Sequence, residues 1–312
     1  MLFFSRHYYL LVIWLFLALL LSSFFTSCKD ALPSMNRATP TAQQVERTPL
    51  INLISPHVLT VGIYANYFPQ EYMDESKHQI IGFDIDVIQS LADRLHLRTK
   101  FVAEDYSMLI NDLAVSRFDV VISAVSINPE LQKKADFIPY FRGGESLLVS
   151  RGNPHRIYAL SDLCGRKVAI KEGTLEQREL KDISSNCLKD GKAAISVAIC
   201  PEYIASLKQL LEGNVATVYQ DSPVTDYFIK QNPDRFEIGG GIIGANLEGI
   251  AVRKNDASLL SALQKVFAQI KADGSYRDII TKWGLRSGDI TANDAKTDLV
   301  RPVFAAKVVI IS

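Results

Sequence analysis

Three β-branched runs in this chain of 312 residues end in groups able to hold a small polar molecule. Asp119 to Ser123 (DVVIS) leads into Ser123, Ala124, Val125 and Ser126, whose hydroxyls and backbone groups suit a polar head. Lys167 to Lys171 (KVAIK) leads into Glu172, Gly173 and Thr174, where the free N–H groups and positive dipole end of a helix start would favour a carboxylate. Val215 to Tyr219 (VATVY) leads into Gln220 and Asp221, and the Asp would offer a fixed negative charge to an ammonium group. These places are singled out because ligands of open α/β sheets collect beyond the carboxyl ends of strands. Thr174 and Asp221 also stand where helix N-caps belong, and capping and binding are compatible in that geometry. The sequence has no GxSxG elbow and no CxxC, and its histidines (His7, His57, His78, His96, His155) lack ligand spacing. Neither a serine nucleophile, a metal site nor a cofactor is expected.

The elements that must position these groups alternate. Val58 to Ile63 reads as a strand, and Asp84 to Leu97 places Val87, Ile88, Leu91, Ala92 and Leu95 on one helical face. Strand RTKFV, helix SMLINDLAVS, strand DVVIS and strand ESLLVS follow, then a second series: KVAIK, TLEQRELKDI, AISVAI, EYIASLKQLLEG, VATVY and SPVTDYFIKQ. Gly249 to Lys254 is another strand, followed by helices at Ala257 to Ala272 and Tyr276 to Trp283. Such alternation predicts two α/β units, each a mainly parallel sheet flanked by helices. At 48 % apolar and 22 % charged residues the chain can bury real cores. Basic and acidic residues balance at 34 each, so no basic field would gather nucleic acid.

Arg6 and His7 precede an uncharged apolar run from Tyr8 to Phe25, closed by Thr26, Ser27 and Cys28. This has the parts of an export signal. Its end resembles the lipobox of bacterial lipoproteins, with Phe25 where a Leu is usual, and the resemblance implies a lipidated Cys28 after cleavage of residues 1–28. An uncleaved membrane anchor is the alternative reading of the same run. Either way, the rest of the chain is expected outside the cytoplasmic membrane. Residues 29–57 are polar, Pro-containing and aperiodic, as a tether is.

Several stretches together resemble the family 3 solute-binding proteins of bacterial ABC importers, the amino-acid-type periplasmic binding proteins. They are LTVGIYANYFPQEY, IIGFDIDVIQSLADRL, FDVVISAVSINPELQKKADF, YQDSPV and the segment from Gly249 to Gly284, in the family's order. The resemblance implies a two-lobed periplasmic-binding-protein-like type II fold: lobe 1 from 58–144 plus 247–286, lobe 2 from 145–246, and a C-terminal tail from 287–312. Crossings near Gly143 to Ser146 and Ile243 to Leu247 would act as hinges for closure on a ligand. It further implies capture of a small polar solute and delivery to membrane permease subunits. Positions matching Ser126, Gly173, Thr174 and Asp221 line the cleft in relatives, the Asp holding the α-ammonium, and Tyr67 and Tyr106 match aromatic positions that sandwich the ligand. Lys171 falls where relatives face a side chain to the ligand.

The departures bear on specificity. Where relatives carry an Arg that forks onto the α-carboxylate, this chain has Leu131, after Asn128, Pro129 and Glu130. A charge-assisted bond is worth roughly 1.5 to 3 kcal/mol, so an ordinary α-amino acid would lose about one to two decades of affinity unless Lys171 or Arg142 replaces the Arg. Tyr64 stands at an often acidic position and Gln70 at an often aromatic one. Outside the cytoplasm Cys164 and Cys187 are expected to form a disulfide, as a pair does in some relatives, with Cys200 free; pairing of Cys200 with either is also open. The same fold serves secreted dehydratases of the cyclohexadienyl or arogenate type, an alternative in which Glu172, Glu176 and Lys171 would do acid–base work, and ligand-sensing modules.

Overall fold

The computed structural model describes residues 51–292. The expected export signal, Cys28, most of the tether and the tail from 293 onward lie outside them. In the first lobe, β1 (Val58–Ile63) opens a sheet with an almost wholly buried run. A small antiparallel sheet follows, formed by β2 (Asn66–Tyr67), β3 (Glu71–Asp74) and β4 (Gln79–Ile81). Strands of two to four residues carry no readable period, which is why the sequence pattern does not predict them. Helix α1 (Phe83–Arg94) buries Val87, Ile88, Leu91 and Ala92, the face predicted from spacing. Its start is fixed by Gly82, at φ 149°, where an added Cβ would lie 2.0 Å from the Gln70 carbonyl. Then come β5 (Arg98–Ala103), α2 (Leu109–Ala114), β6 (Val120–Val121) and the single turn α3 (Pro129–Gln132). β1 lies between β5 and β6, parallel to both.

β7 (Ala135–Ser150) is one continuous strand that leaves the first lobe and enters the second. There β8 (Lys167–Lys171), α4 (Leu175–Lys189), β9 (Ser196–Cys200), α5 (Tyr203–Leu211), β10 (Thr217–Asp221) and α6 (Ser222–Gln231) repeat the alternation. β8 runs parallel to both β9 and β10, and the short β11 (Phe236–Ile238) pairs with β7. β12 (Ile243–Arg253) returns antiparallel to β7, and α7 (Ala257–Ala272) and α8 (Ser275–Trp283) complete the first lobe. Strand order is thus β5-β1-β6-β12-β7-β10-β8-β9: parallel in each lobe, antiparallel where the two long strands join them. The strands expected at 145–150 and 249–254 are the ends of these longer ones; glycines at 143, 144 and 244 hid the continuation, since Gly in a strand reads as a break.

Each lobe has its own core. Leu59, Val61, Ile88, Leu91, Leu263 and Phe267 belong to one cluster, and Leu147, Val168, Ile170, Leu180 and Tyr219 to another. Cys164 and Cys187 form a disulfide, tying the turn before β8 to the end of α4, while Cys200 is free and buried. The chain expected to hang as a tail from 287 stays packed through 292: Ser287 donates to Asp226 from its N–H (2.8 Å) and its hydroxyl (2.6 Å), and Ile290 rests on the first core. Among the described residues no helix is long and apolar enough to cross a membrane.

Candidate ligand-binding cleft

The carboxyl ends of β8 and β10 face the first lobe across a cleft. Asp221 occupies the N-cap position of α6, yet its side chain accepts from no helix N–H. It accepts instead from the Tyr203 hydroxyl, at 3.0 Å, and Tyr67 of the opposite lobe stands near enough to favour its charged form. Position predicts a cap; the side chain has been turned to the cleft. Burial holds its pKa above the usual carboxylate range, against the opposing influence of Tyr203, Tyr67 and Lys171. Lys171 lies 3.9 Å from Glu202, with its ammonium 4.7 Å from the centre of the Tyr203 ring. At the mouth, a cavity of about 370 Å³ is lined by Asn66, Phe68 and Tyr72 from one lobe and Lys171, Glu202 and Tyr203 from the other.

At the corner of Gly173 and Thr174 the polar groups have partners within lobe 2. The Gly173 N–H donates to Gln177 Oε1 (2.9 Å), and the Thr174 hydroxyl donates to the Lys171 carbonyl (2.9 Å). Glu176 sits in the first turn of α4, 2 % exposed, with Oε1 lacking any hydrogen-bond partner. The positive end of the helix therefore already faces a carboxylate of its own. Burial, then the charges of Asp221 and Glu145, raise the Glu176 pKa to about 8.

Ser123 and Ala124 are also corrected. Ser123 is fully buried, its hydroxyl accepting from the Tyr64 N–H (3.0 Å) and donating to Glu71 Oε1 (2.6 Å). The Ala124 N–H faces Asp84 Oδ2 at 3.1 Å and the Tyr140 hydroxyl at 3.2 Å. The Ser123 hydroxyl and the Ala124 N–H are thus both engaged inside lobe 1, where they brace the strand end. Ser126 remains half-buried, bridged to Glu248 of β12. Tyr106 is half exposed and meets Tyr64 edge-on at 6.3 Å, and the charges of Glu248 and Glu71 reach its hydroxyl. Leu131 packs with the apolar cluster of Leu109, Ile110 and Leu113, and Asn128 Oδ1 accepts from its N–H (2.9 Å).

Sequence reasoning missed the acidic floor of lobe 1. Glu71, Asp84 and Glu248 are buried around Gln70, whose Nε2 donates to Glu248 Oε2 at 2.6 Å. Tyr140 donates to Asp84 at 2.7 Å. Burial raises all three acids, and the charge of Asp84 adds to the rise of Glu71 and Glu248; Glu248 reaches about 8, and Asp84 about 6 against the lowering bonds from Tyr140 and the Ala124 N–H. A signal existed for Glu248: an acid beside an apolar run, Gly249 to Val252, in a strand that must be buried.

Comparison with known proteins agrees with this architecture. The family model for bacterial extracellular solute-binding proteins, family 3, matches residues 59–286. The ABC transporter arginine-binding protein 1 of Escherichia coli K12 is 26 % identical over 72 % of this chain and 90 % of its own length. The L-cystine-binding protein TcyJ of the same strain is 27 % identical, over 72 % and 82 %. The solved structure of an ancestral cationic amino acid solute binding protein superposes with a TM-score of 0.63 at 28 % identity, covering 73 % of this chain and 96 % of that one. With the match extending over both lobes and both crossing strands, the chain belongs to the bacterial extracellular solute-binding proteins of family 3.

Proposed function

We propose that this protein is the solute-capturing component of an ABC importer, closing its lobes over a small polar, amino-acid-like solute and passing it to permease subunits in the membrane. Cys28, lipidated once the export signal is removed, tethers it outside the cytoplasmic membrane. The observation that carries the reading is Asp221, which caps no N–H and instead accepts from Tyr203 at the cleft, with Tyr67 of the other lobe nearby. It holds the ammonium group of the solute, while Tyr67 and Tyr106 flank the chain and Ser126, Lys171 and Thr174 close the sides. Relatives named for arginine and cationic amino acids support a cation at this place. No covalent step is required.

Thermal melts with a panel of amino acids and amines test the reading. A ligand present at a hundred times its Kd adds about 2.7 kcal/mol to stability. Asp221→Ala should abolish that gain while the unliganded protein still melts cooperatively. No gain with any solute, or a gain that survives the substitution, overturns the proposal. A second reading, a dehydratase, is favoured by Glu176, a buried acid that stays protonated near neutrality and is placed to give up a proton. Consumption of the solute during the titration would select it.

A further inference from the structure

Resting on the capture reading above, the charges of the cleft narrow the class of solute. Across the antiparallel pairing of β10 and β7, Asp221 stands directly opposite Glu145. Like charges opposite one another destabilise a sheet. Glu176 faces both from the start of α4, with one oxygen unpartnered and the residue 98 % removed from solvent by its 2 % exposure. Behind it, Glu179 accepts from the Tyr219 hydroxyl at 2.5 Å. On the lobe 1 side, Glu248 and Glu71 project their charge onto Tyr67 and Tyr106, and Glu71 Oε2 is a second buried oxygen with no partner. A buried acid without a hydrogen bond costs stability unless a cation or a donor reaches it.

The groups that would receive a carboxylate are spent or missing. Leu131 is packed into the apolar cluster beside α2, and the Gly173 N–H is taken by Gln177. Glu176 occupies the helix start itself. Lys171 is drawn to Glu202, to the face of Tyr203 and to Asp221. Arg142, on the hinge strand, is engaged in an interaction of its own. Two clusters of acid on opposite walls, with aromatic rings between, match a short chain that is cationic at both ends.

We propose that the solute is an aliphatic dication with no carboxylate, an alkyl diamine or a guanidino-amine. One head lies among Asp221, Glu145 and Glu176 of lobe 2, the chain runs between Tyr67 and Tyr106, and the other head faces Glu248 of lobe 1. A carboxylate on the ligand would be driven against Glu176 with no fork to hold it.

Isothermal titration of the purified protein with matched pairs tests this: agmatine against L-arginine, and cadaverine against L-lysine. The carboxylate-free member of each pair is expected to bind at least tenfold more tightly, and Glu176→Gln should weaken the amine at least tenfold while narrowing the gap to its amino acid. If that variant does not fold, Glu145→Gln takes its place with the same expectation. Equal or tighter binding of L-arginine or L-lysine overturns the dication proposal and leaves solute capture intact, as does exclusive binding of a neutral amino acid. Binding of no solute at all overturns both.

Discussion

Asp221 concentrates the chemistry of single residues in this protein. Its carboxylate is buried, shares the cleft wall with Glu145 and Glu176, and is held by hydroxyl groups rather than by helix N–H groups. Asp221→Asn keeps the shape and removes the charge. A hydrogen bond to a charged group is worth roughly 1.5 to 3 kcal/mol, so affinity for a cationic solute should fall by about ten- to a hundredfold. The melting temperature without ligand should hold or rise, because one of three mutually repelling acids is gone; a steep drop would mean that Asp221 serves the fold. Asp221, Lys171 and Tyr67 could be named as candidates from the sequence because strand ends and family motifs point to them. Glu71, Glu145 and Glu248 were not, since an acid beside a cleft and an acid on a solvated face look alike until the chain is folded. Ser123 was misread for a related reason: its partner Glu71 comes from β3, a strand of four residues that leaves no pattern.

At the scale of elements, the hinge and the disulfide carry separate expectations. A Cβ at Gly143 would sit 1.9 Å from Glu248 Oε1, so the glycine on β7 is what lets the carboxylate of β12 lie over the crossing strand. Gly143→Ala must displace Glu248 and with it the bond from Gln70. Overpacking of this kind costs about 1 to 3 kcal/mol, and it should appear as a lower midpoint in urea together with weaker solute binding. An unchanged midpoint would show that Glu248 has room to move. The bridge between Cys164 and Cys187, 23 residues apart in sequence, stabilises lobe 2 by about 3 kcal/mol in the chain-entropy model. Cys164→Ala with Cys187→Ala should therefore lower the urea midpoint by a matching amount while leaving the solute Kd close to its original value, since both cysteines belong to the apolar core of lobe 2. α7 was legible at both ends, because a sixteen-residue amphipathic period is unambiguous, whereas α1 was read three residues too far and α4 six residues short at their C-terminal ends. The full length of β7 and β12 was not, because their glycines mark both a turn and a hinge.

At the scale of the whole molecule, the buried acids tie stability and solute binding to pH. The lobes meet where the ring of Phe68 packs edge-on against Tyr227 at 4.7 Å and where Ser287 is held by Asp226, and Tyr67 stands near Asp221. Glu176 and Glu248 are raised to about 8, Glu145 to about 7, and Asp84 and Asp226 to about 6, in each case first by burial. In the unfolded chain carboxylates titrate near 4. Between about pH 4 and 8 the closed protein thus binds more protons than the unfolded one, and its stability falls as pH rises through that window. The contribution is fully present below the unfolded value and is lost as each folded value is passed. A cation among the same acids favours their charged forms and takes the place of the bound protons. Affinity for a cationic solute should accordingly climb between pH 5.5 and 8, and protons should be released on binding. Melting temperatures at half-unit steps of pH, with and without saturating ligand, would show a downward slope for the free protein and a flatter one for the complex. Titrations in two buffers of different ionisation enthalpy count the protons released. A free protein that gains stability across this range, or binding without proton release, would place the acids in contact with solvent and remove the electrostatic basis for cation capture.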